Sequence, residues 1–208
     1  MIFKDRSLTF REFAMKEAVP LSEIQQFVLE FLCDREDAAV FGAQAVNAYV
    51  DEPRMSQNVG ILTLNAERLA EEIRAGLNEK FNIAVRVRTV PSGLGYQVYQ
   101  LQKPNNRHLV DIRSVTKLPP CQRVERILVP IPAELISQKV ISMTSRSKTA
   151  KGMTDAADLR RLLLAFPELK TKEGLVLESL KTAYALPVAI AAWSELVEQE
   201  IELESDEY

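Results

Sequence analysis

The sequence predicts an α/β (α+β) fold: a mixed, mostly antiparallel sheet of about five strands with flanking helices, followed by a helical C-terminal part. Three observations predict it. Short apolar runs alternate with amphipathic helical segments in the first part of the chain. Three consecutive runs in the middle alternate polar and apolar residues with period two. Beyond the proline-rich segment 118–132, apolar residues recur at helical spacing.

The N-terminal part predicts two helices before the first strand. Ser7, or alternatively Thr9, is a suitable N-cap for a helix over residues 8–18. Apolar residues at helical spacing predict a second, amphipathic helix over 21–34, and Pro20 is well placed to begin it.

The stretch from residue 38 to residue 63 is the segment around which we expect the fold to be organised. It contains two apolar, β-rich runs separated by a glycine turn, a small-residue helix and a proline-containing basic loop. The predicted elements here are strand Ala38–Phe41, helix Ala43–Tyr49, loop Asp51–Arg54, strand Val59–Leu64 and, capped by Asn65, helix Ala66–Phe81.

The middle of the chain predicts a three-strand meander. Its strands are Ile83–Val90, Tyr96–Leu101 and His108–Val115, joined by the turn sequences PSGLG and KPNNR. Polar and apolar residues alternate along each strand, so one face of the sheet is expected to pack and the other to be wetter.

The last ninety residues predict mainly helices. Residues 118–132 hold four prolines and are expected to be extended or turning. The helices that follow are predicted at Ala133–Ser145, Thr154–Phe166 with Thr154 as N-cap, Leu175–Leu186 and Val188–Leu203. We therefore expect an α/β core with N-terminal helices over residues 1–117 and a helical part packed on it over residues 118–208.

Composition excludes several classes of protein. Hydrophobic residues make up 47% and charged residues 26%, which is typical of globular domains, and the net charge of -3 carries no general nucleic-acid signature. No apolar run approaches the roughly 20 residues that a membrane span requires. Cys33 and Cys121 are far apart and form no CxxC pattern, so they are interpreted as buried or idle thiols. A cytoplasmic location is expected.

Three short motifs carry the functional interpretation. Phe41-Gly42-Ala43 forms a strand-end glycine turn, residues 54–61 read RMSQNVGI, and Val110-Asp111-Ile112 places a carboxylate in a later strand. Together they resemble the turn, the R-x-[TS]-x-D-hydrophobic-D signature and the third-carboxylate strand of the DNA polymerase beta-type nucleotidyltransferase superfamily. The similarity is to the branch that contains abortive-infection toxin-like transferases.

The resemblance extends from about residue 36 to residue 165. Residues 134–139, Arg146 and residues 155–159 are similar to that branch's helical L-x-x-x-K…R…D-x-x-D-L region. It implies a nucleoside triphosphate with Mg²⁺ as ligand and two divalent cations held by carboxylates. The ligand-binding positions that it implies are Gly42, Ala43, Arg54, Ser56, Lys139 and Arg146.

The chain departs from this pattern at the metal-binding positions. Asn58 and Gly60 stand where two carboxylates are expected, and Asp111 remains as the one acid and metal-ligand candidate. Hard divalent cations need oxygen ligands, usually including carboxylates. The sequence therefore predicts a catalytically degenerate protein that binds a nucleotide or phosphate ligand and needs no cofactor for folding.

Two other hypotheses stay open. One is an active nucleotidyltransferase with rearranged metal ligands, in which Asp111 is joined by Asp51, Glu52 or Asp37. The other is a non-enzymatic, partner-binding module of a toxin–antitoxin-like system, in which the basic connector and the acidic tail from Glu195 serve association.

Plainer interpretations stand beside these. Gly42 suits a simple strand end, Arg54 a solvated loop, and Asp111 a strand position facing water. His108, the one histidine, is predicted to face solvent. Residues 139–172 carry eight Lys or Arg and three Asp or Glu, a segment that suits phosphates of a nucleotide or RNA and equally a solvated connector.

Overall fold

A computed structural model describes residues 20–201. The helix predicted over residues 8–18, with its candidate caps Ser7 and Thr9, lies outside the described residues, as does the end of the acidic tail. The helices and strands below are numbered within the described part of the chain.

A five-stranded mixed sheet forms the centre of the fold. Its strands are β1 Ala38–Phe41, β2 Val59–Thr63, β3 Val85–Thr89, β4 Gly95–Gln100 and β5 Arg107–Ser114. They lie in the order β1-β2-β5-β4-β3, in which β2 and β5 are parallel and the other neighbours are antiparallel. The predicted mixed sheet and its meander are confirmed.

Three helices accompany the sheet: α1 Leu21–Phe31, α2 Ala43–Asn47 and α3 Ala66–Phe81. The α3 helix has the bounds and the cap that the sequence predicts, because Asn65 Oδ1 accepts a hydrogen bond from the Arg68 backbone N–H at 3.2 Å. Its apolar face, including Leu69 and Ile73, is fully buried.

The proline-rich segment adds a feature that the sequence did not predict. It folds into a β-hairpin of β6 Cys121–Val124 and β7 Ile127–Pro130. The turn residues Glu125 and Arg126 both have positive φ, 46° and 72°. A two-residue turn of this kind matches the twist of a hairpin, although Gly and Asn are the usual residues for it.

The C-terminal part is helical, as predicted, with α4 Pro132–Ser145, α5 Ala150–Ala165, a 3₁₀ turn Pro167–Leu169, α6 Leu175–Thr182 and α7 Pro187–Glu198. The predicted cap of α5 is wrong. The N-cap is Thr149, whose Oγ1 accepts a hydrogen bond from the Gly152 N–H at 3.1 Å, while Thr154 lies inside the helix and donates to the Ala150 carbonyl. The physical reason is that the helix continues one turn further towards its N-terminus than its apolar pattern suggests.

One hydrophobic core joins the sheet to the C-terminal helices. Ile61 and Ile112 contribute from the sheet, while Ile136, Leu159 and Trp193 contribute from helices, and all five are essentially inaccessible to solvent. The division at residue 117 remains a prediction, since this core contains residues from both sides of it. The candidate site lies where α4 and α5 face the sheet.

Candidate functional site

A cleft of about 840 Å³ lies between the sheet and helices α4 and α5. The residues at the predicted ligand-binding and carboxylate positions all line it, although they come from separate segments of the chain. They are Gly42, Ala43, Arg54, Ser56, Asn58, Gly60, Asp111, Lys139 and Arg146. Folding thus brings the glycine turn, the basic loop, two strands and α4 to one open space.

The parallel strands β2 and β5 form the floor of the cleft. Gly60 is the neighbour of Asp111 in the strand register, and Asn58 lies two residues before Gly60, so the three positions face the same side. These are the positions at which the resemblance implies carboxylates. Asp111 supplies a carboxylate and Asn58 an amide, while Gly60 has no side chain.

The space beside Gly60 is already filled. A Cβ atom at this position would lie 2.9 Å from the backbone oxygen of Phe41 and 3.0 Å from Cε1 of its ring. The Arg113 guanidinium lies over the same ring, 4.5 Å from its centroid. A side chain at position 60 would therefore require Phe41 to move.

His108 lines the cleft and is half-buried, so the prediction that it faces solvent is wrong. Its Nε2 lies 3.0 Å from the Val110 carbonyl oxygen, which can only accept, so Nε2 carries the proton. Nδ1 then accepts from the Asn58 amide at 3.2 Å, and the Tyr99 ring stacks on the imidazole at 4.8 Å. Burial holds the pKa of His108 below its ordinary value, which favours this neutral form.

Three of the cations predicted to bind phosphate already have carboxylate partners. Arg54 donates from Nε and Nη2 to Asp158 at 2.6 and 2.8 Å. Lys139 Nζ lies 2.6 Å from Asp158 and 3.0 Å from Asp155. Arg146 donates from Nε to Asp155 at 2.7 Å. These five residues, here called the ion network, carry three positive and two negative charges.

The ion network is largely buried. The side chain of Asp158 is 0% exposed and that of Lys139 is 7% exposed. Burial alone would raise the pKa of Asp158, but hydrogen bonds from Arg54 and Lys139 outweigh it and hold the pKa below its ordinary value. Arg54 therefore differs from the solvated loop arginine of the plainer interpretation, because Asp158 holds its guanidinium, while its ligand-binding role stays a prediction.

Two further cations line the cleft, and the sequence analysis did not single out either one as a site residue. Arg113 and Lys151 have no carboxylate partner within residues 20–201. The available signal for Arg113 was its position two residues after Asp111, which places both side chains on one face of β5. Within residues 20–201, five Lys or Arg residues and two Asp residues line the cleft.

The donor set does not fit a two-metal centre. Within the part of the chain that the structure describes, no three His, Cys, Asp or Glu side chains lie close enough together to hold a metal ion. Asp37, an alternative ligand, precedes β1 at the end away from Gly42 and pairs with Arg35 at 2.9 Å. Asp51 and Glu52 are exposed and do not line the cleft.

The cysteines offer no second site. Cys33 and Cys121 are free and half-buried. Burial raises the pKa of Cys121 to about 11, so its thiol is protonated at neutral pH.

Among the described helices, none has the length and apolar character needed to cross a membrane.

Comparison with known proteins gives structural likeness alone. No protein-family model matches the chain, and no curated protein matches it. An antigenic nucleotidyltransferase-like protein from Paracoccidioides brasiliensis is similar at 16% identity, with 88% of this chain and 92% of that chain covered and a TM-score of 0.44.

Two other solved structures show comparable similarity. JHP933 from Helicobacter pylori is 12% identical over 92% of this chain and 94% of its own, with a TM-score of 0.48. The antibiotic-resistance factor ANT(2'')-Ia is 12% identical over 84% of this chain and 90% of its own, with a TM-score of 0.47. Identities and TM-scores of this size do not establish a family for the chain.

Proposed function

We propose that this chain is a degenerate nucleotidyltransferase-like protein whose cleft binds a nucleotide or another phosphate ligand without two-metal nucleotidyl transfer. The observation that carries the proposal is the charge of the cleft. Among the residues that the structure describes, five Lys or Arg and two Asp line it, although the whole chain has a net charge of -3. Such a local excess of positive charge attracts anions.

The size of the cleft favours a small ligand over a nucleic acid. Its volume of about 840 Å³ lies within the range of small-molecule sites. Of the cations between residues 139 and 172, Lys139, Arg146 and Lys151 line the cleft, whereas Lys172 pairs with Glu198 on α7. The basic segment therefore directs only part of its charge into the site.

The loss of metal chemistry is supported by the cleft floor. Two-metal transfer needs carboxylates that hold both cations close to the reacting phosphate. Asp111 is the one carboxylate at the three strand positions, and the space at Gly60 is filled by Phe41. We therefore expect the cleft to bind a phosphate ligand without catalysing nucleotidyl transfer.

Calorimetric titration tests the binding. We expect ATP, GTP, CTP, UTP and pyrophosphate to bind, with affinity that falls as salt is raised, and the uncharged nucleosides not to bind. Lys151→Gln should weaken binding, while Lys148→Gln, which removes an exposed lysine outside the cleft, should not. Absence of binding by every phosphate compound would overturn the proposal.

An assay for transfer of labelled nucleotide tests whether the protein lacks nucleotidyltransferase activity. Incubation of the protein with each labelled nucleoside triphosphate, Mg²⁺ and RNA should leave RNA and protein unlabelled. Labelling that disappears in Asp111→Ala would instead establish an active transferase and exclude the degenerate interpretation.

A further inference from the structure

We propose that the phosphate ligand binds as a free anion, without a divalent cation, and that the Arg113 guanidinium supplies the positive charge beside Gly60 and Asp111. This inference rests on the proposed function, because it concerns how the same cleft holds its ligand. It follows from the room left at the cleft floor, from the position of Arg113 and from the oxygen atoms available to a metal.

The first step is the room beside Gly60. The Phe41 ring and backbone oxygen lie within 3.0 Å of the point where a Cβ atom at position 60 would stand. No carboxylate can be accommodated there without displacing β1, which pairs with β2 at Phe41 and Gly60. The volume that a metal ligand would need is thus filled by hydrocarbon and a carbonyl group.

The second step is the position of Arg113. Arg113 follows Asp111 by two residues on β5, so both side chains lie on the same face of the sheet. In the register with β2, Asp111 is the neighbour of Gly60 and Arg113 is the neighbour of Leu62. Its guanidinium is placed over the Phe41 ring, 4.5 Å from the centroid. A cation–π contact orients the group, and no residue of the described part of the chain accepts from its N–H groups, which can therefore donate to an anion.

The third step is the difference between Arg113 and the other cations of the cleft. Arg54, Lys139 and Arg146 already donate to Asp155 or Asp158. Arg113 makes no ion pair within residues 20–201. A planar guanidinium with free donors binds phosphate oxygens in a two-point manner, which a lysine ammonium cannot do.

The last step concerns the metal itself. Mg²⁺ requires near-octahedral oxygen ligands, and the floor offers the Asp111 carboxylate and the amide oxygen of Asn58, whose amide nitrogen is held by His108. The charge of Arg113 opposes a second cation nearby. Mg²⁺ bound to the ligand would also reduce the negative charge that Arg113 meets. Added Mg²⁺ should therefore leave affinity unchanged or weaken it.

Calorimetric titration with pyrophosphate tests this inference in two buffers, one with EDTA and one with Mg²⁺. Wild-type protein should bind in EDTA at least as tightly as in Mg²⁺. In EDTA, Arg113→Gln should weaken binding by about 10- to 100-fold, the range expected for hydrogen bonds to a charged group. Arg88→Gln is the matched control, because Arg88 also lies over an aromatic ring, Tyr99, but does not line the cleft.

The outcomes separate this inference from the proposed function. Binding that needs Mg²⁺, or an equal loss in Arg113→Gln and Arg88→Gln, overturns the inference and leaves phosphate binding standing. No binding in either buffer overturns both. Should Arg113→Gln not fold, Arg113→Lys replaces it: weaker binding than wild type is expected, and equal affinity overturns the role given to the guanidinium.

Discussion

Arg54 forms a two-point ion pair with Asp158, a residue 104 positions further along the chain. The arginine belongs to the loop before β2, and the aspartate belongs to α5. Lys139 on α4 also donates to this carboxylate, with Nζ 2.6 Å from the Asp158 oxygen. The ion network thus joins the loop before β2 to the helices α4 and α5, which makes these cations structural parts of the site as well as sources of positive charge.

Removing the charge of Asp158 should destabilise the fold strongly. We expect Asp158→Asn to lower the free energy of unfolding by about 3–5 kcal/mol, because Arg54 and the buried Lys139 lose their shared partner. Urea unfolding measures the change. Asp51→Asn, in an exposed loop, should change the same quantity by less than about 0.5 kcal/mol. Similar values for the two variants would contradict the role of the ion network.

The same aspartate predicts a pH dependence. Its pKa in the folded protein is held below the unfolded value by Arg54 and Lys139, against the opposing effect of burial. Its contribution is therefore complete above the unfolded pKa of about 3.9 and is lost as the pH falls through the folded pKa. The difference in stability between wild type and Asp158→Asn should accordingly shrink in acid, as unfolding curves collected between neutral pH and acid would report.

His108 offers a direct spectroscopic check of the cleft floor, since the chain contains a single histidine. Burial lowers its pKa, so an NMR titration should give a midpoint below about 6.5. Replacing Asn58, 3.2 Å from Nδ1, by Asp should raise that midpoint, because a carboxylate favours the charged ring. Asn82→Asp, on an exposed helix end, is the control and should leave it unchanged. A midpoint unaffected by Asn58→Asp would contradict the contact between the side chains at positions 58 and 108.

Local patterns were sufficient for much of the fold. The apolar stripe and Asn65 cap of α3 are encoded within one segment, and the observed bounds Ala66–Phe81 agree with the predicted ones. Period-two alternation likewise located β3, β4 and β5 to within two residues. Residues of the glycine turn, the basic loop and the Asp111 strand line one cleft.

The features that were missed depend on contacts between distant segments. The hairpin turn at Glu125 and Arg126 lacks the residues that usually adopt positive φ, and it is held from outside, where the Asp34 N–H donates to the Arg126 carbonyl at 2.9 Å. The pairing of Arg54 with Asp158 has no local signature at all. Because charged residues give no periodic signal when their partners are remote, the sequence could indicate three cations of the cleft but not that these three are already paired.

The corrected cap of α5 can be tested with two threonines. Thr149→Ala should destabilise the protein by about 1 kcal/mol, because it removes the acceptor for the Gly152 N–H at the start of the helix. Thr154→Ala should have a smaller effect, since that hydroxyl donates to a helix carbonyl and caps nothing. Thermal unfolding of both variants decides the matter, and a larger loss in Thr154→Ala would restore the original prediction.

Phe41 should prevent position 60 from accepting a side chain without a loss of stability. Gly60→Ala alone should destabilise the protein by about 1–3 kcal/mol, because its Cβ would lie 2.9 Å from the Phe41 oxygen and 3.0 Å from the ring. In a Phe41→Ala background the same substitution should be less destabilising, since the contact with the ring is gone while the contact with the backbone oxygen remains. Equal effects in both backgrounds would show that the ring does not restrict position 60.

For the same steric reason, Asn58→Asp/Gly60→Asp should bind Mn²⁺ no more tightly than Asn58→Asp alone. A side chain at position 60 would meet the Phe41 ring and its backbone oxygen, so a carboxylate there is not free to turn towards Asp111. Electron paramagnetic resonance measures the free Mn²⁺ in each case. Tight binding by the double variant would mean that the floor adapts readily to a metal, and that two substitutions alone separate this cleft from a metal centre.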